Sequence, residues 1–228
     1  MLLGRFIDPD LLLRTYRDPL AWVGLVVGAL PVLGIIMFGW GATPLVALYW
    51  LENLVIGGAT LARMAAASVS KITAFFGGLF LVPFFTFHYG MFCWGHGTFL
   101  ATFAQNGPKS DDLTALVSWA LGSGPHMTAF VGAIVAVSAL FFVVDFIGKG
   151  EFRDAEPINL MFMPYGRIVV LHVAIILGAA FTIWADEPLI GVLGILMLRF
   201  VFGIVLAVMR RLRIDKEIPT ENELTSSM

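Results

Sequence analysis

Charge is what this sequence has least of. Of its 228 residues only 13% are Asp, Glu, Lys or Arg, while 59% are hydrophobic. Soluble globular domains carry about 25% charged and about 45–50% apolar residues. So little polar surface cannot cover a water-soluble body, and a mean hydropathy of +0.89 agrees. A single cysteine, Cys93, excludes an intrachain disulfide, so redox chemistry says nothing about compartment. The net charge of -2 says nothing about partners, and no basic patch points to nucleic acid. The apolar runs contain no lysine that could carry retinal. The GxSG nucleophile motif of rhomboid-type serine proteases is also missing, since LGSGP at 121–125 has another order and falls in a loop. No small-residue cleavage site follows the first apolar run, which is too long for a signal-peptide core, so it reads as a retained first span.

What is present is hydrophobic length. A membrane-spanning helix needs about 20 mostly apolar residues. Six stretches meet that, at roughly 19–40, 43–66, 72–104, 127–148, 162–184 and 188–210. The expected fold class is therefore all-α: one polytopic membrane bundle over 1–213, with a polar tail at 214–228. Pro83, Gly90, Gly95 and Gly97 are positions where the long third span could bend. Residues 113–121 form a short amphipathic piece, too short to span and suited to the interface. No internal repeat relates the two halves, so an inverted-repeat transporter gains no support.

Orientation follows from Lys and Arg in the short loops. Arg5, Arg14 and Arg17 precede span one, Arg63 and Lys71 separate spans two and three, and Lys149 and Arg153 separate four and five. Arg210, Arg211, Arg213 and Lys216 follow span six. The alternate loops hold only Lys109, beside Asp111, Asp112, Asp186 and Glu187. Both termini are expected in the cytoplasm, and the chain in a bacterial inner membrane as a multi-pass protein.

Ionisable groups at bilayer depth cost about 2.5–3.5 kcal/mol each on insertion scales, so each needs a reason. Glu52 and Asn53 fall near the middle of span two, His172 of span five, and Arg199 of span six. His88 lies in the outer half of span three and His96 near its outer end. Asp145 and Arg167, at matching depth near the inner side, read as a structural ion pair. His126 follows Pro125 at the outer start of span four, where water can solvate it.

The stretch FHYGMFCWGH at 87–96 holds two of the four histidines. Eight residues is about 80° around a helix and about 12 Å along it. On an unbroken helix His88 and His96 cannot share one ion, so they are assigned different tasks. Glu52, His88 and His172 form the expected metal set, since imidazole and carboxylate are ligands for zinc or non-haem iron. Three protein ligands would leave an open position, as catalytic sites do. Asn53 and Arg199 would orient the carboxylate from outside the ligand shell. His96, beside the interfacial Trp94, would handle substrate or protons at the rim, with Glu52 as ligand or general base. The competing reading for Glu52 is a salt bridge to Arg199; for each histidine it is a satisfied structural imidazole.

YWLEN at 49–53, the FH–GH stretch and the PYGRI–H segment resemble a family of bacterial polytopic membrane proteins of unknown function, over roughly 43–175. The resemblance implies a membrane fold and no activity. A weaker likeness is to the intramembrane CAAX-type proteases, whose motifs pair glutamate with FxxxH. Phe84–His88 and Phe92–His96 fit that spacing, but the double glutamate of that family is absent, because Asn53 follows Glu52.

Three functions compete. The first is an intramembrane metalloprotein, zinc being the expected ion, hydrolysing a peptide or lipid. The second is a non-enzymatic subunit or scaffold, within a homo-oligomer or membrane complex, in which Gly57, Gly58, Gly77 and Gly78 allow close packing. The third is a b-type haem protein with His88 and His172 as axial ligands.

Overall fold

The computed structural model describes residues 19–104, 107–110, 112–166, 168 and 169. These residues are almost wholly helical, with no strand among them. The chain divides into two units, Met1–Ala29 with Leu196–Met228, and Leu30–Ile195. Of the first unit only Pro19–Ala29 is described, as the start of α1 (Pro19–Phe38). All else below concerns the second.

After α1 come α2 (Ala42–Ser68), α3 (Ile72–Phe103), α4 (Leu113–Leu121), α5 (Met127–Phe141) and α6 (Pro157–Phe162). A π-helical segment, Phe142–Gly148, prolongs α5, and a 3-10 turn at Glu151–Arg153 precedes α6. Ala42–Ser68, Ile72–Thr102 and Met127–Gly148 are each long and apolar enough to cross a bilayer. Three helices of membrane-spanning length make this a membrane protein by physical type. α3 runs unbroken through Pro83, Gly90, Gly95 and Gly97. The break those residues could have allowed is absent, and the separation of His88 from His96 by about 80° stands.

α2 is the central helix, and every position from Tyr49 to Asn53 on it is buried. Three residues link it to α3, which folds back beside it. The buried positions of α3 are Ala74, Gly78, Phe85, Tyr89, Cys93 and Gly97, repeating at three to four residues or multiples of that, as one helix face requires. Lipid is as apolar as a leucine side chain, so tight packing and hydrogen bonds must hold such helices together. Both are found here. Trp50 Nε1 donates to Cys93 O at 2.7 Å, and the Tyr89 hydroxyl donates to Asn53 O at 3.0 Å. Each helix thus sends one aromatic donor to a backbone carbonyl of the other.

Glycine makes those approaches possible. A Cβ on Gly57 would stand 2.5 Å from the Tyr89 ring, and one on Gly97 2.6 Å from the Trp50 ring. Gly78 likewise admits Ser68. The expected small-residue packing holds for Gly57 and Gly78, whereas Gly58 and Gly77 meet nothing within 4 Å.

α5 packs along another side of α2 and runs in the same direction. Pro44 and Trp40 meet Gly124 at one end, and at the other Arg63 lies 6.0 Å from the Phe146 ring centre. At the first end Trp40 Nε1 also donates to Pro125 O at 3.1 Å. α6 fits against both α2 and α3, adding Leu160 and Met161 to a core with Met64, Phe85, Tyr89 and Phe146. α4 begins at Asp112, whose carboxylate accepts from the Thr114 and Ala115 amides.

Candidate functional site

Glu52 and Asn53 are buried at mid-length of α2, 6% and 7% exposed, as their depth in the sequence requires. Asn53 Nδ2 donates to Tyr49 O at 2.9 Å, one turn back, and the Asn53 carbonyl accepts from Tyr89. Asn53 is therefore tied into the α2–α3 contact. Glu52 occupies a different side. Two residues on from Trp50 is about 200° at 3.6 residues per turn, so Glu52 is turned about 160° away from the indole that meets α3. Arg63, eleven residues further, returns to within about 20° of Glu52. The Glu52 side of α2 is thus the side that meets α5.

His88 is half-buried on α3, seventeenth of the 32 residues and so just past the middle of the helix. Its ring stacks on Phe84 at 5.3 Å, meets Phe92 edge-on at 5.0 Å, and faces Tyr165 at 6.0 Å. Among the described residues neither ring nitrogen finds a hydrogen-bond partner. The satisfied core histidine, the plainest expectation, is therefore not what these contacts supply. Tyr165 also touches Phe85 and Tyr89. It lies in the expected fifth span, seven positions before His172.

His96, also half-buried, is two turns further out and reaches Phe92 at 6.3 Å between centroids. Phe84, His88, Phe92 and His96 form a ladder of rings at four-residue intervals up one flank of α3. His126 is exposed, as expected, and caps the start of α5 with a left-handed backbone, φ 60°. Its ring lies 4.6 Å from that of Phe38.

No group of three or more His, Cys, Asp or Glu that could hold a metal occurs among the described residues. His172 and Arg199 lie outside those residues, as does Arg167. Lys149 is one partner of Asp145, its Nζ 2.6 Å from Oδ1 and off the hydrogen-bonding direction, a contact of charge.

Three features escaped the sequence reading. Tyr165 was not singled out, although a tyrosine entering an apolar span needs somewhere to place its hydroxyl. Trp50 and Tyr89 each stand opposite a glycine, Gly97 and Gly57, a signal visible only once the two helices are set antiparallel. The π-helical segment has no sequence signature that we recognise.

A family of unknown function, DUF6498, matches residues 10–220. The chain belongs to that family. Membership of DUF6498 agrees with the resemblance carried by YWLEN, FH–GH and PYGRI–H, and extends it over almost the whole chain. Comparison with curated proteins and with solved structures gives no match. The likeness to CAAX-type proteases rests on the FxxxH spacing alone.

Proposed function

We propose that this DUF6498 protein is a six-span protein of the bacterial inner membrane, both termini cytoplasmic, that holds a divalent ion within the bilayer and uses it to hydrolyse a peptide or lipid bond. Glu52, His88 and His172 are the ligands in this reading, with zinc favoured by ligand type. The observation that carries it is the His88 imidazole, fixed by three rings at the middle of an apolar helix and without a hydrogen-bond partner among the described residues. Buried polar groups are normally paired, and an imidazole at this depth needs something to bind. The contact of Tyr165, seven positions before His172 in the sequence, with His88 supports a fifth span on that flank of α3.

A bound ion would lower the pKa of its water to about 7 and polarise a scissile carbonyl. Glu52 would act as ligand or general base, His96 would serve the rim, and Arg199 would orient the carboxylate, while Asn53 holds the α2–α3 contact beside it. Glu52 faces α5 and His88 faces Tyr165, so the site needs the fifth span between them.

One observation favours a second reading, a non-enzymatic subunit or scaffold. The Trp50–Cys93 and Tyr89–Asn53 bonds show polar groups of this core acting as fasteners between helices. Elemental analysis of protein purified in mild detergent separates the readings. The hydrolase reading expects one equivalent of metal, lost in Glu52→Ala and His88→Ala, kept in His126→Ala, and weakened about 10–100-fold in affinity by Arg199→Ala. Metal-free wild type sinks it, and a Soret band would indicate haem b instead.

A further inference from the structure

His88 is only half-buried, which bears on what reaches it. Sixteen residues of α3 precede it and fifteen follow, so about 23 Å of helix lies on either side. A bilayer has a hydrocarbon core about 30 Å thick, so surface left open at this level meets acyl chains rather than water. The surrounding flank is open in that sense. Phe84, stacked on the imidazole, is 42% exposed, and Phe162, beside Tyr165, is 61% exposed. Val169, one turn after Tyr165, is exposed too.

Two polar side chains share this level. The rings of His88 and Tyr165 lie 6.0 Å apart. Neither the imidazole nitrogens nor the phenol oxygen has a hydrogen-bond partner among the described residues. Polar groups at such depth are normally paired, so the two suit a ligand that is apolar throughout except for one acceptor. A peptide fits poorly. A segment drawn out for cleavage must pair its amides and carbonyls within hydrocarbon, and no strand edge occurs among the described residues for it to join. A phospholipid fits poorly too, because its polar headgroup keeps the ester groups near the bilayer surface. A long-chain ester without a headgroup carries its carbonyl among the acyl chains and needs a single donor there.

We propose that the flank of α3 around His88 admits a headgroup-free long-chain ester sideways from the bilayer, and that the Tyr165 hydroxyl donates to its carbonyl oxygen. The inference rests on the hydrolase reading and names the substrate class of that site. In the hydrolysis the acyl C–O bond breaks, the hydroxyl of water joins the acyl carbon, and the remaining proton of that water leaves with the alcohol. The carbonyl oxygen gains charge as water adds, so a donor already placed at that atom stabilises the change.

The test uses the full chain in phosphatidylglycerol nanodiscs doped with oleyl oleate or with dioleyl ether, which has the same chains and no carbonyl. Native mass spectrometry then counts the molecules retained, oleic acid and oleyl alcohol included. Wild type should keep the ester about two- to tenfold better than the ether, the usual worth of one hydrogen bond. Tyr165→Phe should remove that preference by lowering ester retention alone, with metal content unchanged. Phe76→Ala, at an exposed ring three turns away on α3, should leave both lipids as in wild type. Equal retention of ester and ether by wild type overturns the proposal. So does an equal loss of both in Tyr165→Phe, or retention of phosphatidylglycerol or an added alanine–leucine spanning peptide in place of the ester. Metal is measured on the same samples. Metal without an ester preference sinks this inference and leaves the hydrolase reading, whereas an ester preference in metal-free protein sinks the hydrolase reading and leaves the ester site.

Discussion

Asp112 illustrates how one side chain sets a local structure. Its carboxylate accepts from the Thr114 hydroxyl, the Ala115 amide and the Ser110 hydroxyl, and also from the Thr114 amide, which together lower its pKa from the ordinary 3.8 to about 2. A carboxylate whose value falls on folding favours the folded form above the ordinary value and loses that effect as pH drops towards the lowered one. The cap should therefore hold α4 fully above pH 3.8 and release it as pH falls through about 2. Amide exchange at Thr114 and Ala115 should accelerate across that window in the wild type. In Asp112→Ala it should already be fast at neutral pH, with no such step. An unchanged pH profile in the variant would refute the cap.

At this scale the sequence was most informative where chemistry and depth conflict. Glu52, Asn53 and Asp145 stand out in apolar runs, and all three are buried. The partners were less visible. The pairing of Asp145 with Arg167 falls outside the described residues, whereas Lys149, one turn away on the same helix, could not be picked out by depth and reaches Asp145 as well. Depth says nothing about rotation around a helix, and the π-helical segment changes that rotation.

On the scale of elements, the α2–α3 hairpin makes the clearest demand. Gly57 and Gly97 let Tyr89 and Trp50 lie against the opposite backbone, and hydrogen bonds prevent either ring from swinging away. Gly57→Ala and Gly97→Ala should each destabilise the protein in detergent by about 1–3 kcal/mol, the usual cost of overpacking. Gly90→Ala, which meets nothing within 4 Å, should be neutral or stabilising by up to about 1 kcal/mol. Tyr89→Phe should cost about 0.6 kcal/mol, the usual worth of one interhelical bond in a membrane protein. Thermal unfolding of the four variants checks the pattern, and equal losses at Gly57 and Gly90 would contradict it. The existence of these helices could be read from hydrophobic length. Their register could not, because α3 is apolar on all sides and only the positions of its glycines and aromatics select the face that packs.

For the whole molecule, every statement about buried charge depends on the chain being embedded in a bilayer with a fixed sense. Three helices of spanning length are described, and the loop charges ask for six spans with both ends inside. Arg63, Lys71, Lys149 and Arg153 gather at the end of the structure where α2 runs into α3 and α5 into α6, while Lys109, Ser110 and Asp112 lie in the connection between α3 and α4. Sidedness also decides which face Lys149 opens to. The direct measurement is a topology reporter, an enzyme active on only one side of the membrane, fused after Met228 and inserted at Asp111 in separate chains. The account predicts a cytoplasmic signal at Met228 and an external signal at Asp111; a cytoplasmic signal at Asp111 would contradict it.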